Sequence, residues 1–531
     1  MIKNKLFAYS WNIDEDQDEV TVIRVYGIDE HNKSVCLKIS DFTPYVYAEL
    51  PTNIEWNTVR ANMLGKKIDE ICGKYKPIKK ILTMKKKLYF ANMYKNTKNN
   101  TYNYKLYPYL MLSFCTKKDI KNFIWKVKKQ FIVAGLGRIK LRIHEQDANP
   151  ILQLTCVRDI PTAGWIHYAA KKPKNGYEKE TKCDYEYKVK WKNLLKVENM
   201  DLVPKPLVMG FDIEVNSTNP NKMPDVRKPG DKVFQISCVL SRYGDKKEDY
   251  VKYLLTLGEC NHKIVGEDTE IREFYTESDL LVGFTDLINE KNPQIIVGYN
   301  ILGFDIPYMI SRSKEPCMCI YNFDQMSYRK NHHAKERIIK WSSSAYKNQE
   351  FQFLDAEGRL FVDLLPLVKR DYKFDNYKLK TISTFFLGET KDPLTAKGIF
   401  KCYRIGMKKN SKGEFTKKGK KAMGVVGKYC MVDGILCNQL FETLQTWVGL
   451  TEMAKTCCVP IFYLYTQGQQ IKVYSQVYKK CMYDNFVVEK DGYIPDENEQ
   501  YTGATVFPPI PGAYDKVVPF DFASLYPTTI I

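Results

Sequence analysis

The stretch PLVMGFDIEV, residues 206 to 215, constrains this chain more than any other. An apolar run of this length, bounded by proline and polar residues, predicts a strand. Side chains at i and i+2 of a strand share a face. Asp212 and Glu214 therefore point one way, and Phe211 and Ile213 point into a core. Two carboxylates on one strand face repel each other unless they are solvated or hold a cation. The pair alone also fits a polar edge strand, so it needs company before it means anything.

Two further acidic stretches provide that company. In GYNILGFDIPYM (298 to 309) an apolar strand, PQIIV, runs into Gly298-Tyr299-Asn300 and then Phe304-Asp305. Strand-to-helix junctions are where α/β folds place ligand groups. Asn300 offers an amide donor and acceptor, and Asp305 offers an anion; taken alone, both also suit a helix cap. In Tyr429-Cys-Met-Val-Asp433 the tyrosine and the acid are four apart and share a helix face. Val432, Leu436, Leu440, Leu444 and Val448 form an adjacent apolar stripe, which predicts a packed helix. By itself that pair reads as a core tyrosine beside a surface acid.

Jointly, four acids and a tyrosine can hold two divalent cations if strand, junction and helix converge. Mg²⁺ prefers carboxylate oxygens and keeps much of its water. Two such ions about 3.5–4 Å apart activate a water and stabilise a leaving oxygen in phosphodiester hydrolysis. A tyrosine hydroxyl can orient the attacking water. Lys+Arg number 81 against 62 Asp+Glu, a formal charge of +19, which favours a polyanionic partner, nucleic acid before an anionic membrane.

The fifteen cysteines are scattered without a Cys-x-x-Cys pair, and the six histidines do not cluster with them. This argues against a zinc site and for free thiols in a reducing compartment. The first twenty residues lack the apolar core of a signal peptide, and no apolar run approaches the roughly 18 residues of a membrane span. The expectation is a soluble intracellular protein.

The 531 residues predict two to four domains. Residues 1 to about 200 alternate short β-like runs with lysine-rich turns. Tyr185, Tyr187, Val189 and Trp191 alternate with polar residues as in a half-buried strand. KKILTMKKKLYF (79 to 90) reads as an amphipathic surface strand or as a surface that tracks a nucleic-acid backbone, and YKNTKNNTYNY (94 to 104) as a loop. From about 206 strands and helix-like stretches alternate, the texture of a mixed α/β domain. KKNSKGEFTKKGKK (408 to 421), with seven lysines, reads as a solvated loop or hairpin. QQIKVYSQVYKKCMYDNF predicts a helix, FPPIPGAYDK a linker, and VVPFDF a terminal strand ending on Asp521.

Asp212-x-Glu214, Asn300-x-x-x-Phe304-Asp305 and Tyr429-x-x-x-Asp433 resemble, in order and spacing, the three exonuclease motifs of the family B DNA polymerases. The flavour is that of polymerase delta and of the replicative polymerases of large DNA viruses. Supporting stretches are GRLFVDLLPLVKRDYKFDNYKLKTISTFFLGE, GLTEMAKTCCVPIFYLYTQGQQIKVYSQ and YTGATVFPPIPGAYD, so the resemblance covers about 206 to 531. Before 200 it rests mainly on position.

The resemblance implies a multidomain α/β and α+β protein. A mixed-β amino-terminal domain (1–205) would precede an RNase H-like 3′→5′ proofreading exonuclease (206–455). The chain would return to the amino-terminal domain over 456–498 and begin a polymerase palm at 499–531. Asp212, Glu214, Asp305 and Asp433 would bind two Mg²⁺ ions, and Tyr429 would position the water. Asn300 and Phe304 would hold the frayed 3′ end, and Asp363 would be structural. Tyr501 and Gly503 would touch template. DFASLYP (521 to 527) is similar to the first palm motif. There Asp521 and the Phe522 carbonyl would bind catalytic metal, while Ser524, Leu525 and Tyr526 would hold the dNTP, with Tyr526 as steric gate.

The fingers, the second palm carboxylate and the thumb do not follow within these 531 residues, so this chain alone is expected not to polymerise. Either a longer chain or a second polypeptide would complete the centre. A DNA-binding scaffold subunit and a stand-alone exonuclease stay open beside the proofreading reading. Expected partners are primer-template and single-stranded DNA, with a sliding clamp compatible and no membrane. The site of action would be the nucleus or a cytoplasmic viral replication site.

Overall fold

The strand Leu207–Val215 lies inside a six-stranded sheet. The order is Thr269–Phe274, Val251–Leu257, Val233–Arg242, Leu207–Val215, Ile295–Gly298, Leu360–Asp363. Leu207–Val215 and its two neighbours toward Val251–Leu257 run antiparallel, while Ile295–Gly298 and Leu360–Asp363 run parallel to it. The computed structural model describes residues 2–531 except 15–19, 90–92, 97–100, 172, 174–175, 199, 316–319, 321, 344–346, 390–393, 490–502 and 504. Residues 1–490 form one compact unit, and 491–531 form a second.

Both faces of the central strand are covered, as its apolar residues demand. Phe211 is fully buried and meets Phe284 of the helix Glu277–Lys291, with ring centroids 5.2 Å apart. The opposite face carries the acids and lies under the long helix Lys417–Thr443.

The amino-terminal region holds two large sheets and more helix than its sequence texture suggests. A six-stranded sheet pairs Ile2–Asp14 with Val22–Ile28 and Gly164–Ala170. A second sheet has the order Arg142–His144, Tyr45–Glu49, Tyr107–Ser113, Lys79–Lys87, Phe486–Val487. Helices Thr58–Cys72 and Lys117–Val127 cover one face of it, and Pro150–Arg158 is a third helix. In KKDIKNFIWKV the residues Ile120, Phe123 and Val127 sit at i, i+3 and i+7 and are buried. Thr116 and Asp119 close that helix with a capping box. The lysines on its outer face disguise a helix as a turn.

Four other expectations need correction. The two ends of the Asn-rich stretch are strands rather than loop, Met93–Asn96 pairing antiparallel with Thr101–Tyr104, while 97–100 lie outside the described residues. The strand Tyr185–Lys188 buries Glu186 and Tyr187 and leaves Tyr185 exposed. The burial of Glu186 is compensated by the Thr181 N–H, which donates to its carboxylate at 2.8 Å. Lys409 and Phe415 do bridge as a hairpin would, but from Lys417 the lysine-rich stretch is the first turn of a helix capped by Thr416. That helix stops at Thr443, where Gln445 turns left-handed, so Val448 belongs to the next helix, Thr446–Cys457.

The terminal strand is absent as well. Residues 516–522 form no regular element and have no ladder partners, and Phe520 and Phe522 are 93% and 75% exposed. A strand exists by pairing its N–H and C=O groups, and the described residues of this small unit offer VVPFDF no neighbour. Its regular element is the helix Leu525–Ile530.

The predicted helix in the return segment forms at Gln469–Tyr483, and Phe486–Val487 pairs in parallel with Lys86–Lys87. The surface strand Lys79–Lys87 forms too, with Ile81 and Met84 exposed. The tyrosine-rich sheet face, Tyr45, Tyr47, Tyr107 and Tyr109, is buried together with Val487. Glu145 is buried beside this layer and accepts from the Val488 N–H at 3.1 Å. Burial pushes its carboxyl up to about 7, against the hydrogen bonds from Val488 and Tyr478 and the attraction of Lys85. The folded state thus binds this proton more tightly than the unfolded chain does. Stability falls as pH rises from about 4.5 through 7, by at most roughly 1.4 kcal/mol per unit. Glu145→Gln keeps an acceptor for Val488 and removes the charge. Its urea midpoint should exceed wild type at pH 8 and match it near pH 5; an unchanged gap across that range would refute the assignment.

Candidate metal centre

The acidic face of Leu207–Val215 is shaped by an unusually close helix. A Cβ on Gly210 would stand 2.8 Å from the Gly434 carbonyl oxygen and 2.1 Å from Asn438 Oδ1. A Cβ on Gly434 would stand 2.8 Å from Ser237 Oγ. These two glycines let the helix lie directly on the sheet, and Asn438 fixes it by donating to the Val239 carbonyl and to Ser241 Oγ, both at 3.0 Å. One turn earlier, the Cys430 thiol donates to the Asp212 carbonyl oxygen at 3.5 Å. The ligand atoms of Asp212, Glu214 and Cys430 all lie within 4.8 Å of one another.

Asp305 arrives from the other side. The ladder between Leu207–Val215 and Ile295–Gly298 ends at the pair Gly210–Val297. Beyond it the neighbouring chain turns away, and the Ile213 N–H donates to Asp305 Oδ1 at 3.3 Å. The carboxylate thus replaces a ladder acceptor between the two acids of the strand. Asp305 is 4% exposed. Burial lifts its carboxyl to about 8, with repulsion from Asp363 and Asp433 adding and the Ile213 N–H opposing.

Asp433 is 1% exposed, and the Cys430 thiol is pushed up by burial and then by Asp212, Glu214 and Asp433. The reading of the helical pair as core tyrosine and surface acid is inverted here: Asp433 is buried and Tyr429 is half-exposed. The ligand atoms gathered within 4.8 Å are those of Asp212, Glu214 and Cys430, while Asp433 acts electrostatically on both Cys430 and Asp305. The repulsion among these acids, with the raised Asp305, suits a divalent cation, and oxygen donors of this kind fit Mg²⁺.

The junction itself is held by Asp363. Its carboxylate accepts from the N–H groups of Asn300 at 2.8 Å, Leu302 at 3.0 Å and Leu365 at 3.0 Å. Asp363 also caps the helix Leu364–Asp371, which agrees with a structural role. Burial raises its carboxyl to about 6. The three N–H donors hold Asn300 in a left-handed conformation, φ 67°. Asn300 and Phe304 are half-buried, and the Phe304 ring lies 5.6 Å from that of Tyr308.

The remaining expected site residues lie elsewhere. Tyr501 lies outside the described residues. Gly503, Asp521, Phe522, Ser524, Leu525 and Tyr526 belong to the unit 491–531. Ser524 is left-handed (φ 51°), and its carbonyl accepts from the Thr528 N–H at 2.9 Å. Cys430 was missed from sequence. The available signal was its spacing, since residues three apart on a helix share a face and Cys430 precedes Asp433 by three.

Comparison with known proteins gives the same direction along the chain. The model of the DNA polymerase family B exonuclease domain matches residues 141–382, and that of DNA polymerase family B matches 459–531. DNA polymerase 120R of Invertebrate iridescent virus 3 is 45% identical over 99% of this chain and 46% of its own length. The DNA polymerase delta catalytic subunit of Schizosaccharomyces pombe is 29% identical over 98% of this chain and 46% of its own. The chain thus spans about half the length of the curated relatives it matches. The solved family B DNA polymerase of Pyrobaculum calidifontis shares the fold, with a TM-score of 0.61 at 16% identity over 92% of this chain and 52% of that one. Two models of one family, in order along the sequence, and relatives aligned from end to end of it leave one assignment: the chain belongs to the family B DNA polymerases.

Proposed function

We propose that this chain carries the 3′→5′ proofreading exonuclease and the first palm motif of a replicative DNA polymerase. The observation that carries the reading is the pair Asp212 and Glu214 on a strand covered by the helix that bears Asp433, with the Asp305 carboxylate bound to the Ile213 N–H between them. The sheet supports an RNase H-like assignment for residues 206–455. Three antiparallel strands are followed by two parallel to the first, in the spatial order third, second, first, fourth, fifth once the outer strand Thr269–Phe274 is set aside. Residues 1–205 with 456–498 would then be the amino-terminal domain, and 499–531 the start of the palm.

Asp212, Glu214, Asp305 and Asp433 would hold two Mg²⁺ ions. Bound there, Mg²⁺ supplies the positive charge that lowers the barrier to water attack and to departure of the 3′ oxygen. The half-exposed Tyr429 hydroxyl orients the attacking water. The Asn300 amide, set by Asp363, and the Phe304 ring receive the terminal nucleoside, the ring by stacking that tolerates any base. In the palm segment Asp521 and the Phe522 carbonyl would hold metal, Ser524, Leu525 and Tyr526 the dNTP, and Tyr501 and Gly503 the template. Polymerisation draws on fingers, thumb and a second palm carboxylate from outside these residues. The partners are primer-template and single-stranded DNA, with a sliding clamp compatible. No helix among the described residues is long and apolar enough to cross a membrane. The place of action is the nucleus or a viral replication site in the cytoplasm.

The test uses the 531-residue chain and a single-stranded oligonucleotide labelled at its 5′ end. With Mg²⁺ the label should shorten one nucleotide at a time from the 3′ end. With EDTA hydrolysis should stop, while salt-sensitive binding persists. Binding without hydrolysis in Mg²⁺ would replace this reading with a DNA-binding scaffold.

A further inference from the structure

The carboxylates of this site are backed by a thiol, and a magnesium site has no use for sulfur. Cys430 is fully buried, and its Sγ lies within 4.8 Å of ligand oxygens of both Asp212 and Glu214. Its hydrogen bond to the Asp212 carbonyl oxygen keeps the sulfur on the side of the helix that faces the acids. Ser237, paired with Asp212 across the ladder, donates to the same carbonyl at 3.5 Å and closes the floor. Glu214 is 7% exposed, so entry to this corner is past the half-buried Asp212.

We propose that Asp212, Glu214 and Cys430 form a mixed oxygen-and-sulfur site for a thiophilic divalent cation, Zn²⁺ or Cd²⁺, which competes with Mg²⁺. The inference rests on the metal-site reading above and adds a ligand to it. Thiolate sulfur selects zinc-like ions, whereas carboxylate and water suit Mg²⁺. An oxygen and a sulfur bound to one tetrahedral Zn²⁺ are about 3.6 Å apart, from typical bond lengths of about 2.1 and 2.3 Å. The ligand atoms of the three residues lie within 4.8 Å of one another, not far from that spacing. On binding, the Cys430 S–H bond breaks, the sulfur electron pair bonds the cation, and the proton leaves to solvent. No electron is transferred. Held by these three residues, the ion would neutralise the acids with protein ligands in place of much of the water that Mg²⁺ keeps. The site would therefore be sensitive to trace zinc even when magnesium is in large excess.

Cd²⁺ is the probe, because a cadmium–thiolate bond absorbs in the near ultraviolet and cadmium carboxylates do not. Titration of the full chain should raise this band to one equivalent of Cd²⁺. Cys430→Ser, nearly isosteric, should lose the band, and Asp212→Asn, with every thiol intact, should weaken the titration about tenfold or more. A band of full size in Cys430→Ser would overturn the proposal, as would an unchanged midpoint in Asp212→Asn. The readout is independent of hydrolysis. A chain that shows the band but cuts no DNA would fail the exonuclease reading alone, and one that cuts DNA but shows no band would fail this inference alone.

Discussion

Replacing Asp212 and Glu214 together by alanine lowers Mg²⁺-dependent 3′ hydrolysis by about a thousandfold or more, equivalent to ~4 kcal/mol of lost transition-state stabilisation. The size follows from what remains. Asp305 and Asp433 are buried and mutually repulsive, and without the strand acids no pair of donors spans the face of Leu207–Val215. The fold should not suffer. Asp212 is half-exposed, and both acids face Cys430 within 4.8 Å, in a region where Asp433 adds further negative charge. Removing two like charges there relieves repulsion, so thermal stability without metal should equal or exceed that of wild type. Loss of activity with retained or raised stability separates a site from a scaffold. Hydrolysis at wild-type rate by the double variant would end the assignment.

That site was legible because its parts are local. Asp212-x-Glu214 needs only the two-residue strand period, Asp305 only its place after an apolar strand, and Tyr429-x-x-x-Asp433 only the helix period. What was not legible depends on partners distant in sequence. Cys430 acquires meaning only when Gly210 and Gly434 let its helix touch the strand, a contact across more than two hundred residues. Met93–Asn96 and Thr101–Tyr104 are a strand pair by virtue of their ladder, not their composition. VVPFDF failed for the same reason reversed: an apolar alternation promises a strand, but only a neighbour makes one. In the amino-terminal region the order of the second sheet, with residues 486–487 beside 86–87, is a property of long-range pairing that no local pattern carries.

The largest stability effect is expected at Arg24, a buried cation that local pattern also concealed. Its guanidinium is 1% exposed and touches three acids: Asp14 at 3.0 Å, Glu180 at 3.0 Å and Glu357 at 3.5 Å. Glu357 also accepts from the Tyr26 hydroxyl at 3.0 Å, and Arg329 lies 3.2 Å from Asp14. Residues 14 and 24 belong to the first sheet, whereas 329 and 357 flank the sheet that holds Leu207–Val215, so this cluster joins the two regions. Burial works against the charge of Arg24, yet Glu357 and Asp14 hold its pKa above the usual arginine value. Arg24→Met would leave Asp14 and Glu357 buried with Arg329 as a shared cation, at a cost of about 3–5 kcal/mol. The measurement is the urea midpoint followed by tryptophan fluorescence, since the buried Trp447 packs against Phe7 and Tyr9 of the first strand. Arg24→Met combined with Asp14→Asn removes the stranded acid along with the cation, so the double variant should lose less than the sum of the two single variants. Strict additivity would mean that water, not Arg24, solvates Asp14, and the junction would then owe its cohesion to the aromatic contacts around Trp447.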